Sequence, residues 1–130
     1  MTARTITLAR SESIAPHSTD GPYVADVWAA VIGSTASMLI RRAHQLWAVH
    51  GDPCTIPAGD LAAWLGLPMP SRMVEACKRL DRFRLGSWDP DTQTLRIRSH
   101  VGELSPAQLE RVGSVPRRIH GALTASAVAG

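Results

Sequence analysis

Residues 57–85, PAGDLAAWLGLPMPSRMVEACKRLDRFRL, constrain this 130-residue chain more than any other stretch. They divide into two amphipathic segments joined by a Gly/Pro-rich corner. Pro57 suits the first turn of a helix, where its missing N–H has no partner to lose, and Leu61, Trp64 and Leu65 recur at helical spacing. Gly66 follows the last apolar pair, where a left-handed residue ends a helix without steric cost. Leu67-Pro68-Met69-Pro70 cannot readily continue that helix. The second segment opens at Ser71, an N-cap candidate, and runs to about Arg84. At about 100° per residue, Met73, Cys77 and Leu80 share one face. Arg72, Glu75, Lys78, Arg79 and Arg82 occupy the opposite arc, four cations with one anion.

A short helix, a tight corner and a second helix with a basic outer face outline a helix-turn-helix. Leu85-Gly86-Ser87-Trp88 and Thr94-Leu95-Arg96-Ile97-Arg98 then flank Asp89-Pro90-Asp91-Thr92, whose second-place proline suits a type I turn. Leu95 and Ile97 alternate with polar residues, so this part reads as a hairpin with one apolar face. A helix-turn-helix followed directly by a β-hairpin resembles the winged-helix family, and the resemblance covers residues 22 to 123 as an order of elements. It implies an α+β fold, mostly α with a small β-hairpin: a winged helix-turn-helix with extra N- and C-terminal helices. It also implies double-stranded DNA binding, usually by a dimer, with the second helix of the pair in the major groove and the wing on backbone or minor groove.

Composition sets the bounds. A chain of this length with 45% apolar residues fits one domain with a modest core. The net charge of +3 is compatible with a polyanionic partner, and its placement matters more than its size. Between Arg72 and Arg98 there are seven Lys or Arg against four Asp or Glu. Lys78 is the only lysine and the chain has no Asn, so direct base reading would use Arg, Gln or Ser and no Asn-to-adenine contact. Two cysteines without a C-x-x-C, and no signal-peptide pattern at the N-terminus, point to a reducing compartment. The uncharged run from Val27 to Ile40 is too short and too rich in Ser, Thr and Gly to span a bilayer. The expectation is a cytoplasmic protein, nucleoid-associated if it binds DNA, with no membrane partner.

Along the chain, residues 1–21 are polar and broken by Pro16 and Gly21, and read as a flexible arm. Within it Thr5-Ile6-Thr7-Leu8 alternates for four residues and could add a strand to a partner or to the wing. From Pro22, Val24, Val27, Trp28, Val31 and Ile32 form a helical stripe. Gly33-Ser34 interrupts it, and Ser34 or Thr35 could cap a further helix carrying Met38, Leu39, Leu46 and Trp47. Whether this is one kinked helix or two stays open, because Gly costs a helix only about 1 kcal/mol relative to Ala. His50-Gly51-Asp52-Pro53 is a turn, and Cys54-Thr55-Ile56 a short strand expected against the wing. Ser105-Pro106-Ala107-Gln108 fits a capping box, Gly113-Ser114 breaks the helix it opens, and Pro116 can open another. Residues 124–130 read as a frayed tail.

Candidate DNA contacts follow from position on the second helix. Ser71, Arg72 and Glu75, near its start, fall to base readout, and Lys78, Arg79 and Arg82 to phosphates. Arg96 and Arg98 on one strand face suit phosphates as well, whereas the acidic tip Asp89-Pro90-Asp91 should stay clear of the groove. Three of the four tryptophans lie on or beside apolar stripes, which favours core packing over base stacking. His44, His50 and Cys54 lack the fourth ligand that structural zinc wants, and no cofactor is expected. Nucleotide-binding and hydrolase motifs are absent, so an enzyme is not expected. The reading is a dimeric winged-helix DNA-binding protein, a transcriptional regulator, joined through the helices at 22–48 and 105–123. The rival is a winged-helix module that docks a partner protein without DNA.

Overall fold

In the N-terminal region the alternation of Ile6 and Leu8 with threonines is the start of a full strand, β1 (Thr5–Ser11), in which both apolar side chains are buried. The computed structural model describes residues 4–129, with side chains described to residue 125. β1 lies inside a four-stranded mixed sheet of order β3-β1-β5-β4, formed with β3 (Cys54–Pro57), β4 (Gly86–Asp89) and β5 (Thr94–Arg98). It runs antiparallel to β3, with Ile6 opposite Ile56, and parallel to β5, with Leu8 opposite Leu95. The flexible arm expected over residues 1–21 is thereby corrected, residues 1–3 lying outside the described ones. The physical reason is that a strand's main-chain partners are set by tertiary pairing. Here they lie on segments far downstream, and only four residues of local alternation advertise them. The same segment continues through β2 (His17–Ser18), paired with β6 (His100–Val101). Buried Thr19 donates its hydroxyl to the Arg98 carbonyl at 2.7 Å.

β3 is a strand as expected, but β1 separates it from the hairpin. The hairpin itself forms as expected, with Trp88 opposite Leu95 and with Leu95 and Ile97 fully buried. Gly86 is required by close approach, because a Cβ there would meet the Arg96 carbonyl at 2.5 Å.

On the helical side, a wide π turn over Val24–Trp28 runs on as α1 (Ala29–Ile32). Gly33, at φ 88°, breaks the chain before α2 (Ser34–His50), so the segment is two helices. A left-handed φ costs glycine nothing. Neither Ser34 nor Thr35 caps α2; its cap position is Gly33, with no side-chain hydrogen bond. α3 (Ala58–Trp64) ends on Gly66 at φ 75°. Gly66 N–H donates to Ala63 O at 3.0 Å and Leu67 N–H to Ala62 O at 2.9 Å, the Schellman arrangement that the Gly66 position implied. α4 (Pro70–Arg82) starts one residue before the expected Ser71 cap. The fixed φ of Pro70 already suits the first turn.

α5 (Pro106–Arg111) opens on the expected capping box, with Ser105 Oγ accepting from Gln108 N and Gln108 Oε1 from Ser105 N. α6 (Ser114–Ala129) begins before Pro116 and carries helical backbone through most of the expected frayed tail. The alanine-rich end has the highest intrinsic helix propensity. His120 of α6 places Nδ1 2.7 Å from the hydroxyl of buried Tyr23, which also accepts the Leu104 N–H at 3.0 Å. The fold is thus α+β, with more sheet than the hairpin and one short strand expected. One core cluster joins Ile6, Leu8, Leu95 and Ile97 of the sheet to Leu39, Ile40, Leu61, Met73 and Leu80 of the helices.

Candidate nucleic-acid interface

α4 buries Met73, Ala76, Cys77 and Leu80, and the periodicity that sends these inward sends the predicted site residues outward. Ser71, Arg72, Glu75, Lys78, Arg79 and Arg82 are all exposed. Among the described residues the ion pairs are Arg10–Glu12, His17–Glu103 and Lys78–Glu75, the last at 3.6 Å. Arg72, Arg79 and Arg82 therefore have no carboxylate partner. Glu75 makes no ion pair with Arg79, four residues on, and Asp81 turns away from the basic arc to accept the Trp88 N–H at 2.8 Å. That bond, with Leu85 N–H on Leu80 O and Arg98 N–H on Leu85 O, both at 3.0 Å, ties the end of α4 to the hairpin.

The basic arc does not stand free along its whole width. Between α4 and the break from α1 to α2 lies an open cleft of about 480 Å³. Arg72, Glu75, Arg79 and Arg82 line one wall, and Gly33, Ser34, Thr35 and Ala36 the other. Arg79 reaches across: its Nη1 lies 4.0 Å from where a Cβ on Gly33 would sit.

Arg96 and Arg98 are exposed on β5 while Leu95 and Ile97 point to the core, so both arginines stand on the sheet face turned away from the helices. The structure does not bring them together with the α4 arc. At the hairpin tip, Asp89 Oδ1 accepts the Asp91 N–H at 3.0 Å. A hydrogen bond from the Thr92 side chain, and then that from Asp91, hold the Asp89 carboxyl below the usual carboxylate range, so the tip stays anionic.

The tryptophans divide. Trp28 and Trp47 are buried, their indole N–H groups donating to Gly102 O and Leu8 O at 2.9 Å each. Trp88 is half-buried. Trp64 is 43% exposed, with the Arg42 guanidinium 4.4 Å above its ring. That pair, like the contribution of α2 to the cleft, was invisible to spacing within α3 and α4. Its one signal was the charge at Arg41-Arg42.

His44 Nε2 lies 2.8 Å from Thr19 Oγ1, and burial pushes its pKa down. Cys54 sits buried in β3 and His50 is exposed. Burial pushes the Cys77 thiol up to about 12. Among the described residues no three His, Cys, Asp or Glu converge as a metal site, and no helix is long and apolar enough to cross a membrane. No protein-family model, curated protein or solved structure matches the chain.

Proposed function

We propose that the chain binds double-stranded DNA as a winged-helix protein acting in transcription regulation, with α4 directed to the major groove. One observation carries the reading: three arginines on the outer arc of α4 have no carboxylate partner among the described residues, and the helix is fixed to a β-hairpin beside it. Unpaired guanidiniums on one helix face suit phosphates of a duplex. Met38 and Val49 on α2 and Val115 on α6 are exposed apolar side chains available to a homodimer contact. The site of action would be the nucleoid, in the cytoplasm.

The test is fluorescence anisotropy on a mixed-sequence duplex at about 50 to 200 mM salt, where phosphate contacts are read from the salt slope. The double variant Arg79→Ala/Arg82→Ala is expected to bind all sequences more weakly and to flatten that slope by about 1.8, two contacts at about 0.9 each. Unaltered binding would remove the α4 face from consideration.

A second reading, a winged-helix module that docks a partner protein, is favoured by the carboxylates of Glu75, Asp89 and Asp91, which interrupt the positive surface. Absence of duplex binding at low salt by the folded protein would select it.

A further inference from the structure

Arg72 and Arg79 do not stand on the crest of α4. At about 100° per residue, seven residues bring them back to within about 20° of one another, on the flank next to buried Ala76 and turned to α2. Ser71, Lys78 and Arg82 fall together within about 40° by the same count, further round the exposed arc. Arg82 lines the cleft as well, whereas Ser71 and Lys78 do not.

What Arg72 and Arg79 face is the first turn of α2. The N–H groups of Ser34, Thr35 and Ala36 have no acceptor within the helix, and no side chain caps them. A 17-residue helix places positive potential at that end. The guanidiniums of Arg72, Arg79 and Arg82, without a carboxylate partner among the described residues, and the uncapped turn thus line one cleft of about 480 Å³. Its only carboxylate, Glu75, is held by Lys78 at 3.6 Å. A cleft of this charge suits an anionic group with free oxygens, such as a backbone phosphate, which guanidinium forks and backbone N–H groups bind in the same way.

We infer that this cleft seats one phosphodiester of the DNA backbone, clamped between Arg72 and Arg79 of α4 and the start of α2 with Arg82 on the same wall, leaving Ser71 and Lys78 to the groove. The inference rests on the DNA-binding reading and adds a specific contact to it. It moves Arg72 from base reading to backbone holding, and it makes α2 part of the interface.

The test uses the whole chain, two duplexes of unrelated sequence, and the variants Ser34→Asp and Arg72→Ala. A carboxylate at Ser34 occupies the seat with the protein's own anion while suiting the helix end. Ser34→Asp is expected to keep or raise the melting temperature and to weaken both duplexes about tenfold, and Arg72→Ala to weaken both alike with a salt slope flatter by about 1. Wild-type affinity and slope in Ser34→Asp would overturn the seat while leaving DNA binding in place. So would a loss confined to one duplex in Arg72→Ala, which would make that residue a base reader. If the folded wild-type chain binds neither duplex, the DNA reading itself fails, and melting with tripolyphosphate decides the seat. Stabilisation of wild type that both variants lack keeps it as an oligophosphate site, and no stabilisation overturns it.

Discussion

Replacing Leu8 by Ala tests whether the N-terminal segment belongs to the sheet. Leu8 is 0% exposed, stands between Cys54 of β3 and Leu95 of β5, and its carbonyl holds the Trp47 indole at 2.9 Å. Alanine keeps every main-chain bond, so the change isolates the side chain. A buried leucine truncated this way costs about 2.7–5 kcal/mol, made up of lost transfer energy and a residual cavity. Against a total stability of about 5–15 kcal/mol this is a large share, and it lowers the melting temperature by about 10 °C or more. Urea titration followed by tryptophan fluorescence reads it, with the midpoint falling and the m-value unchanged. Ile14→Ala in the same N-terminal segment is the control, because Ile14 is wholly exposed and its truncation should cost less than about 0.5 kcal/mol. If Leu8→Ala matched that control, β1 would not be the interior strand described, and the correction to the flexible-arm reading would be wrong.

Two further outcomes follow from buried titratable groups. With its thiol pushed up to about 12 by burial, Cys77 stays protonated at pH 8, and Cys54 is buried as well. Neither should react quickly with a disulfide reagent in the native protein, and both should react after unfolding; a fast native thiol would contradict the packing of α4 or β3. His44 has its pKa lowered, first by burial, with Asp20 opposing and Arg10 adding. The folded state therefore favours the neutral ring. Its contribution to stability is present above the unfolded value of about 6.5 and is lost as pH falls through the lower folded value. Unfolding free energy measured from pH 7.5 to 5 should drop more steeply in wild type than in His44→Gln, and parallel profiles would refute this.

The central elements were legible because their causes are local. Gly66 after an apolar pair specifies a Schellman end, Leu95 and Ile97 specify one buried strand face, and Ser105 with Gln108 specifies a capping box; each is written within a few residues. β1 was legible only as the four-residue alternation Thr5–Leu8, with addition to the wing as one option; its length and its place between two strands were not, because its partners at Cys54–Pro57 and Thr94–Arg98 lie outside any window around Thr5. Of the candidate site, the exposure of its residues on α4 and β5 was legible, but not their arrangement. Which flank of α4 meets α2 depends on where Gly33 breaks the chain. The cation lying over exposed Trp64 comes from Arg42 on α2.

The insertion of β1 also bears on how much of the hairpin can share a partner with α4. β5 has a neighbour on each side, and α4 is bonded through Asp81 and Leu85 to the strands beside it, so the hairpin is no free flap. Arg96 and Arg98 then stay on the face turned from the core while the α4 arc stays on the helical side. On the proposed DNA-binding reading, a duplex held by α4 alone would meet Arg72, Lys78, Arg79 and Arg82, for a salt slope of about −3.6 per chain at about 0.9 per phosphate contact. A duplex that also reaches the strand pair gives about −5.4 by the same count. The rigid attachment favours the smaller value, and an Arg96→Ala/Arg98→Ala variant should then leave the slope where it is. A drop of about 1.8 in that variant would place the hairpin face on the same duplex as α4, and would require the DNA to bend around the end of the β4–β5 ladder.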